Sequence, residues 1–256
     1  MEHVKRFFSK SLRLVAIFAL IYLCMLFYMA VSERRYAFPR APSDEASAKA
    51  LAENAVLCEA PDGKKLEGWI LNDSLPNTVL YFADAGEDAS TFLRNASKIS
   101  SVRMVAFNYR GSAGSEGTPG EKFYAEDIGR MIACSGGEPK VLLGHGVGAI
   151  AAYNFHKNVP NATVILVDPA ESYTARLSNR YRIFFPKFLG RTKTRMEFSP
   201  EDAGLKKATV VLDDPRREPL ARELLEAHPD RFEVVRRSGA SLLDVLDSLI
   251  EKSCTN

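Results

Sequence analysis

Short apolar runs between residues 55 and 235 constrain this chain more than any other feature. Two of them, 55–60 and 65–71, flank Pro61-Asp62-Gly63. Proline presets one backbone angle of a tight turn and glycine supplies a positive φ, so the pair reads as an antiparallel hairpin. The runs that follow, at 78–82, 103–108, 140–143, 163–167, 209–212 and 232–235, alternate with helical segments at 89–99, 121–134, 147–157, 219–227 and 241–252. Apolar strands separated by helices have both faces covered, which is the pattern of a parallel sheet wrapped by helices, an α/β fold. Ser241 opens the last helix as an N-cap, with Asp244 three residues on in a capping-box position. Between 171 and 202 the pattern weakens and basic and aromatic residues mix, as in a small cap or insertion above the carboxyl ends of the strands. No internal repeat is present.

Ahead of this pattern lies LVAIFALIYLCMLFYMAV, residues 14–31, 18 uncharged apolar positions. At about 1.5 Å per residue this stretch nearly crosses a hydrocarbon core, so it reads as a single transmembrane helix. A cleaved signal peptide is the rival reading, but its apolar region is shorter, about 7–15 residues, and small residues follow it. Here Tyr28 and Met29 precede Ala30, a poor cleavage site. Lys5, Arg6, Lys10 and Arg13 precede the span, and Glu33, Arg34, Arg35 and Arg40 follow it. The slight cationic excess on the first side favours an N-terminus in the cytoplasm and an extracytoplasmic soluble domain. The chain thus divides into a basic tail (1–13), an anchor (14–31), a linker (32–53) carrying Pro39, Pro42 and an Ala/Ser-rich stretch, and a domain from 54 to 256.

With 34 Lys+Arg against 32 Asp+Glu the net charge is +2, and no basic stripe marks a nucleic-acid binder. Cys24, Cys58, Cys134 and Cys254 lack metal-ligand spacing, so no zinc site is indicated, while a single disulfide stays open. No cofactor is indicated. Gly144-His145-Gly146-Val147-Gly148 matches a dinucleotide loop poorly, because its third glycine is misplaced for Gly-x-Gly-x-x-Gly and no acidic residue ends a strand at the required distance. Three acceptor patterns for N-glycosylation, at Asn72, Asn95 and Asn161, have meaning only in a eukaryotic secretory pathway.

The same glycine-rich run follows the strand at 140–143 and leads into a helix, the strand–turn–helix context of a nucleophile elbow. Together with Tyr109-Arg110-Gly111, Ser115-Glu116-Gly117-Thr118-Pro119 and Tyr124-Ala125-Glu126-Asp127, it makes the chain from about Asn54 onwards resemble the alpha/beta-hydrolase superfamily, in its membrane-anchored serine-hydrolase branch. The resemblance implies a mostly parallel sheet opened by a hairpin, and a serine nucleophile, a histidine base and an acid at set places. Gly146 stands where the resemblance puts the serine, and glycine has no oxygen to attack a carbonyl. Ala240, in the loop before the last helix, stands where the histidine is expected. Asp213 and Asp214 follow the strand at 209–212, and one of them would be a remnant acid with no histidine to orient. Ala83-Asp84-Ala85-Gly86 lacks the family's His-Gly, Asn108 replaces an aspartate, and Ala113 replaces a glycine. The expectation is a membrane-tethered hydrolase-like protein with a degenerate triad, acting by binding: of membrane lipid, of an acyl or lipid ligand in the old pocket, or of a protein partner. Asp84, Ala85, His145, Gly146 and Val147 are the candidate pocket, without a metal. The competing expectation is a hydrolase of esters, thioesters or amides whose nucleophile is displaced, Ser112 and Ser115 being the available hydroxyls. For His145 the plainer expectation is local hydrogen bonding, and for both serines a role in the turn. The segment 181–193 interleaves aromatic and basic residues, either to lie on a lipid surface or bind a partner, or to cover the pocket; Arg216, Arg217, Arg236 and Arg237 would form a cationic rim.

Overall fold

The computed structural model describes residues 2–38, 40–170, 172–186, 188, 196–198, 207–237 and 239–255. Eight strands form one sheet in the order β1-β2-β4-β3-β5-β6-β7-β8. Strands β1 (Ala55–Glu59) and β2 (Lys65–Leu71) pair antiparallel, and β2 pairs antiparallel with β4 (Arg103–Phe107). Strands β3 (Thr78–Phe82), β5 (Val141–His145), β6 (Thr163–Val167), β7 (Ala208–Leu212) and β8 (Phe232–Arg236) join β4 in a parallel array. The period of two along β3 sends Leu80 and Phe82 to one layer of core and Val79 and Tyr81 to the other. Every residue of β3 and β4 is buried, as expected of central strands covered on both faces.

The helices lie close to their sequence-based spans: α3 (Ala89–Ala96), α4 (Glu121–Cys134), α5 (Gly148–Asn154), α7 (Glu218–Ala227) and α8 (Leu242–Thr255). Helix α5 is shorter than the apolar pattern suggests, because its last turn tightens to a 3-10 turn at His156–Asn158 ahead of Pro160. The capping box of α8 forms: Asp244 N–H donates to Ser241 Oγ at 3.1 Å and Ser241 N–H to Asp244 Oδ2 at 3.3 Å. The weakly patterned 171–202 contains α6 (Tyr173–Tyr181), capped by Ser172, whose hydroxyl accepts the Ala175 N–H at 3.0 Å. Residues 171, 187, 189–195 and 199–202 of that segment lie outside the described residues.

The N-terminal helix α1 runs over Glu2–Ala37, and its stretch Phe7–Glu33 is long and apolar enough to cross a membrane. The helix thus extends well past 14–31 on both sides. The stretch 32–53, read as a linker, is helical as far as Ala37 and then stitched into the fold. Met29, Ala37 and Phe38 are buried in the core, and Phe38 packs on Tyr173 at 4.9 Å between ring centroids. Ala41 N–H donates to Ser112 Oγ at 3.1 Å and Ala113 N–H to Ala41 O at 2.8 Å. A short helix α2 (Glu45–Ala50) follows, capped by Asp44, whose carboxylate also accepts from Thr91 Oγ1 at 3.0 Å. Cys58 and Cys134 form a disulfide between β1 and the end of α4. A bridge over 76 residues stabilises by about 4 kcal/mol in the chain-entropy account.

The Tyr109-Arg110-Gly111 motif holds the first hairpin on the helical layer. Arg110 is buried, donating to Asp127 Oδ1 and Oδ2 at 2.6 and 2.8 Å and to Asp62 Oδ2 and Oδ1 at 2.6 and 3.0 Å. Hydrogen bonds to both carboxylates push its pKa above the ordinary guanidinium value. Removing one partner of a buried ion pair strands the other's charge, so Arg110→Gln is expected to destabilise the fold by about 3 kcal/mol. Denaturant unfolding measures this, and a loss under about 1 kcal/mol would make the clamp merely a surface pair.

Candidate active site

The elbow sits at the carboxyl end of β5, where the strand turns directly into α5. Gly146 takes φ +56 there, a conformation glycine adopts without penalty. Gly148 permits the crossing itself, since a Cβ on it would lie 2.5 Å from the Ala83 carbonyl oxygen. The turn is fastened to its neighbours: Gly146 N–H donates to Val167 O at 2.9 Å, and Ala170 N–H to Gly146 O at 3.1 Å.

A carboxylate occupies the room that a side chain on residue 146 would need. Asp84, in the loop after β3, is buried, and its Oδ1 accepts the Val147 N–H at 3.0 Å. The residue after the nucleophile is a usual oxyanion-hole donor in this architecture, so that donor is already taken. A Cβ on Gly146 would overlap Asp84 Oδ1, lie 2.5 Å from its Cγ and lie 2.8 Å from Arg217 Nη1. Two arginines balance the carboxylate. Arg176 of α6 approaches Asp84 Oδ2 at 3.3 Å and donates to Ala85 O at 2.8 Å, and Arg217, just before α7, reaches Oδ2 at 2.9 Å. Burial works against the charge on Asp84, but Arg176, Arg217, His145 and the Val147 N–H outweigh it, and its pKa falls below the ordinary carboxylate range.

His145 turns away from the elbow. Its Nδ1 lies 2.9 Å from Glu87 Oε2, and Glu87 also accepts from Tyr81 Oη at 3.0 Å and from the Asp84 N–H at 2.9 Å. Burial opposes protonation of His145, yet the Glu87 hydrogen bond and charge, helped by Asp84, raise its pKa above the usual imidazole value. His156 is buried with Nε2 3.0 Å from Ala162 O, and His228 caps the end of α7. The loop from Arg237 to Ser241 brings Ala240, exposed, to the place before α8, while Ser238 lies outside the described residues.

Neither aspartate expected as an acid meets a histidine. Asp213 pairs with Arg237 at 2.9 Å, and Asp214 holds Arg216 through both carboxylate oxygens, which lowers its pKa. The residue organising this loop is Asp168, at the end of β6 with φ +43: its two oxygens accept the N–H groups of Asp213 and Asp214, both at 2.9 Å. Burial raises its pKa despite those donors. Ser112 and Ser115 are buried turn residues. The first accepts from Ala41, and the second donates to Asn108 O at 2.8 Å while accepting the Glu67 N–H at 2.9 Å. The replacement of aspartate by Asn108 has a local reason, because its amide donates to both Glu67 Oε2 and Asp88 Oδ1 at 3.1 Å, where a carboxylate would face two others. Ala113 takes a positive φ, +45, a conformation that favours glycine.

Beside the elbow lies a cavity of about 300 Å³ lined by Gly146, Asp168, Asp214, Arg176, Arg180, Arg216 and Arg217. Of the pocket residues expected from the sequence, only Gly146 lines it, and four arginines and two aspartates stand in its walls. Sequence reading missed Arg176 and Asp168: one lies in the segment without periodicity, and the other is signalled only by an aspartate ending an apolar run. Among the described residues no group of His, Cys, Asp and Glu is arranged to hold a metal ion.

Fold and elbow together define an alpha/beta hydrolase. The sequence pattern of the alpha/beta hydrolase family matches residues 68–251, and the chain belongs to that family. No curated protein sequence matches it. Among solved structures it is similar to an esterase of Pyrococcus furiosus, with TM-score 0.56 and 14% identity over 85% of this chain and 95% of that one. It is also similar to a structure from work on carboxylesterases of Nitrososphaera gargenis, with TM-score 0.55 and 14% identity over 78% and 99% of the two chains. A thioesterase domain from the curacin biosynthetic pathway matches with TM-score 0.55 and 15% identity over 77% and 98%. At these identities the likeness is one of fold.

Because the pKa of folded His145 lies above that of an unfolded imidazole, about 6.5, its contribution to stability is full below that pH and lost as the pH rises through the folded value. Wild type is expected to melt higher than His145→Gln near about pH 5.5, with the gap shrinking by about pH 8.5. A gap that is constant with pH would mean that the ring acts by packing alone.

Proposed function

We propose that this is a membrane-tethered hydrolase-fold protein that is catalytically silent and acts by binding. The observation that carries the reading is the Asp84 carboxylate, seated on the Val147 N–H in the space beside Gly146. An acyl-transfer site needs an oxygen nucleophile, a base within hydrogen-bond reach and a vacant oxyanion donor. Residue 146 lacks the oxygen, residue 240 lacks the base, and the Val147 donor is engaged. The long apolar α1 supports tethering. The Cys58–Cys134 disulfide supports an oxidising, extracytoplasmic setting for the domain. The arginine-lined cavity argues against an acyl chain in the old pocket. A second reading, hydrolysis of esters or thioesters by a displaced nucleophile, takes its support from the esterase and thioesterase neighbours.

A fluorophosphonate probe and chromogenic esters test the two readings on the purified chain. Neither labelling nor turnover above a mock preparation is expected, and covalent labelling lost on changing Ser112 or Ser115 would establish the second reading. Gly146→Ser by itself is expected to stay inactive and to lose about 2 kcal/mol by crowding Asp84; ester cleavage by that single variant would reveal a base elsewhere.

A further inference from the structure

We propose that the junction between α1 and the domain is a binding site for one anionic phospholipid, taken up from the leaflet on the domain side. The inference rests on the membrane-tethered reading and concerns a place separate from the old elbow. Two concavities meet there. The deeper, about 590 Å³, is almost wholly apolar and runs along Leu20, Ile21, Cys24, Met25 and Met29 of α1, closed on its other side by Phe184. The shallower, about 790 Å³, carries Ser32, Arg35, Arg40 and Thr118. Tyr36 lines both.

The order of these linings along α1 matches the order of chemistry in a lipid. From Leu20 to Arg35 the helix rises by about 22 Å, close to one leaflet with its headgroups. Apolar wall occupies the deep part, and two guanidinium groups with two hydroxyls occupy the shallow end, where a phosphodiester would lie. Arginine suits this group, since its planar fork bonds two phosphate oxygens at once. Glu33, the acid on the same stretch, is buried and does not line the cleft.

The wall opposite α1 also belongs in lipid. Tyr22 Oη donates to Ile183 O at 2.7 Å, and Tyr22 lies about 16 Å along the helix from Glu33. Within hydrocarbon, irregular backbone is tolerated only where its polar groups find partners, as this carbonyl does. Ile183 is 65% exposed and Phe188 80%, whereas Phe185 is buried in the core. The turn after α6 is therefore held by Phe185, with Tyr181 and Phe184 forming one bank of the groove and Ile183 and Phe188 exposed outside it. The described part of the aromatic-basic segment, 181–186 and 188, thus packs on the core through Phe185 and leaves Ile183 and Phe188 exposed for lipid.

The full chain in phosphatidylcholine nanodiscs, doped with a phosphatidylglycerol carrying a diazirine on its acyl chain or with the matching phosphatidylcholine, tests the site. Photolabel from the anionic probe is expected on Leu20 to Met29 and near Phe184, roughly thirtyfold above the zwitterionic probe, given about 1 kcal/mol for each of the two arginines near the surface. Arg35→Gln with Arg40→Gln should bring the two probes level while the sites of labelling persist. Both arginines are exposed, and retention of the disulfide reports folding. Met25→Trp, filling the groove, should remove the label at Leu20 to Met29 from both probes. Equal labelling of wild type by the two probes, label spread around every face of α1, or cross-links between two α1 helices in place of lipid would overturn the proposal. Loss of the preference on adding glycerol phosphate would also overturn it, by assigning the cations to a soluble phosphate. Release of the chain from membranes by alkaline carbonate would instead refute the tether itself, independently of the labelling.

Discussion

The carboxylate of Asp84 is the point through which the carboxyl end of the sheet is organised. It bonds the backbone of the elbow after β5 and attracts Arg176 from α6 and Arg217 from the start of α7. Elements distant in sequence are thereby fastened to one buried charge. Taking a carboxylate out of water is costly, and the cost is offset only when several donors converge on it. Two guanidinium groups and an amide N–H do so here. A glycine at 146 is the condition for this arrangement, because any Cβ there would enter the carboxylate's volume. The bare elbow and the carboxylate seated beside it are one structural solution.

A second constraint joins the N-terminal helix to the domain. The core does not stop at the first strand but takes in Met29, Ala37 and Phe38, and an aromatic series runs from Tyr109 through Tyr124 and Tyr173 to Phe38. The chain after α1 is then pinned at Ala41 to the Tyr-Arg-Gly loop. A helix held at its base by burial and hydrogen bonds has a set direction relative to the sheet. That direction places the turn after α6 along the apolar stretch of α1.

Much of the fold was legible because the central strands are continuous apolar runs and helices such as α3 and α8 carry their own caps. The spans of α4 and α7, the hairpin turn at Pro61-Asp62-Gly63 and the capping box at Ser241 and Asp244 are local chemistry, settled within a few residues. Helix α6 was not legible as a helix, for it is short and mostly polar, with Tyr173, Ala175 and Leu177 buried in the core. The site was legible only as absences. Gly146 and Ala240 could be read from their places in the motif, and His145 bonds to Glu87 instead of facing the elbow. That Asp84 would occupy the elbow, and that Arg176 would arrive from the cap, could not be read from spacing. Spacing favours Asp213 and Asp214 over the aspartate after β6, yet their side chains pair with arginines and Asp168 orders the loop. The first acceptor asparagine, Asn72, uses its amide to hold the carbonyls of Ile99 and Val102, contacts over about thirty residues that no motif announces.

By itself the sequence determined the α/β layering, the strand-turn-helix elbow, the lack of a hydroxyl at residue 146 and the presence of one helix apolar enough to cross a membrane. These follow from periodicity, caps and residue identity, which act over one element at a time. Tertiary structure alone decided what fills the elbow, which cysteines join, how firmly α1 is bound to the domain and where cations gather around it. Those outcomes depend on side chains brought together from far apart in the chain, and burial makes their pairing compulsory once they meet.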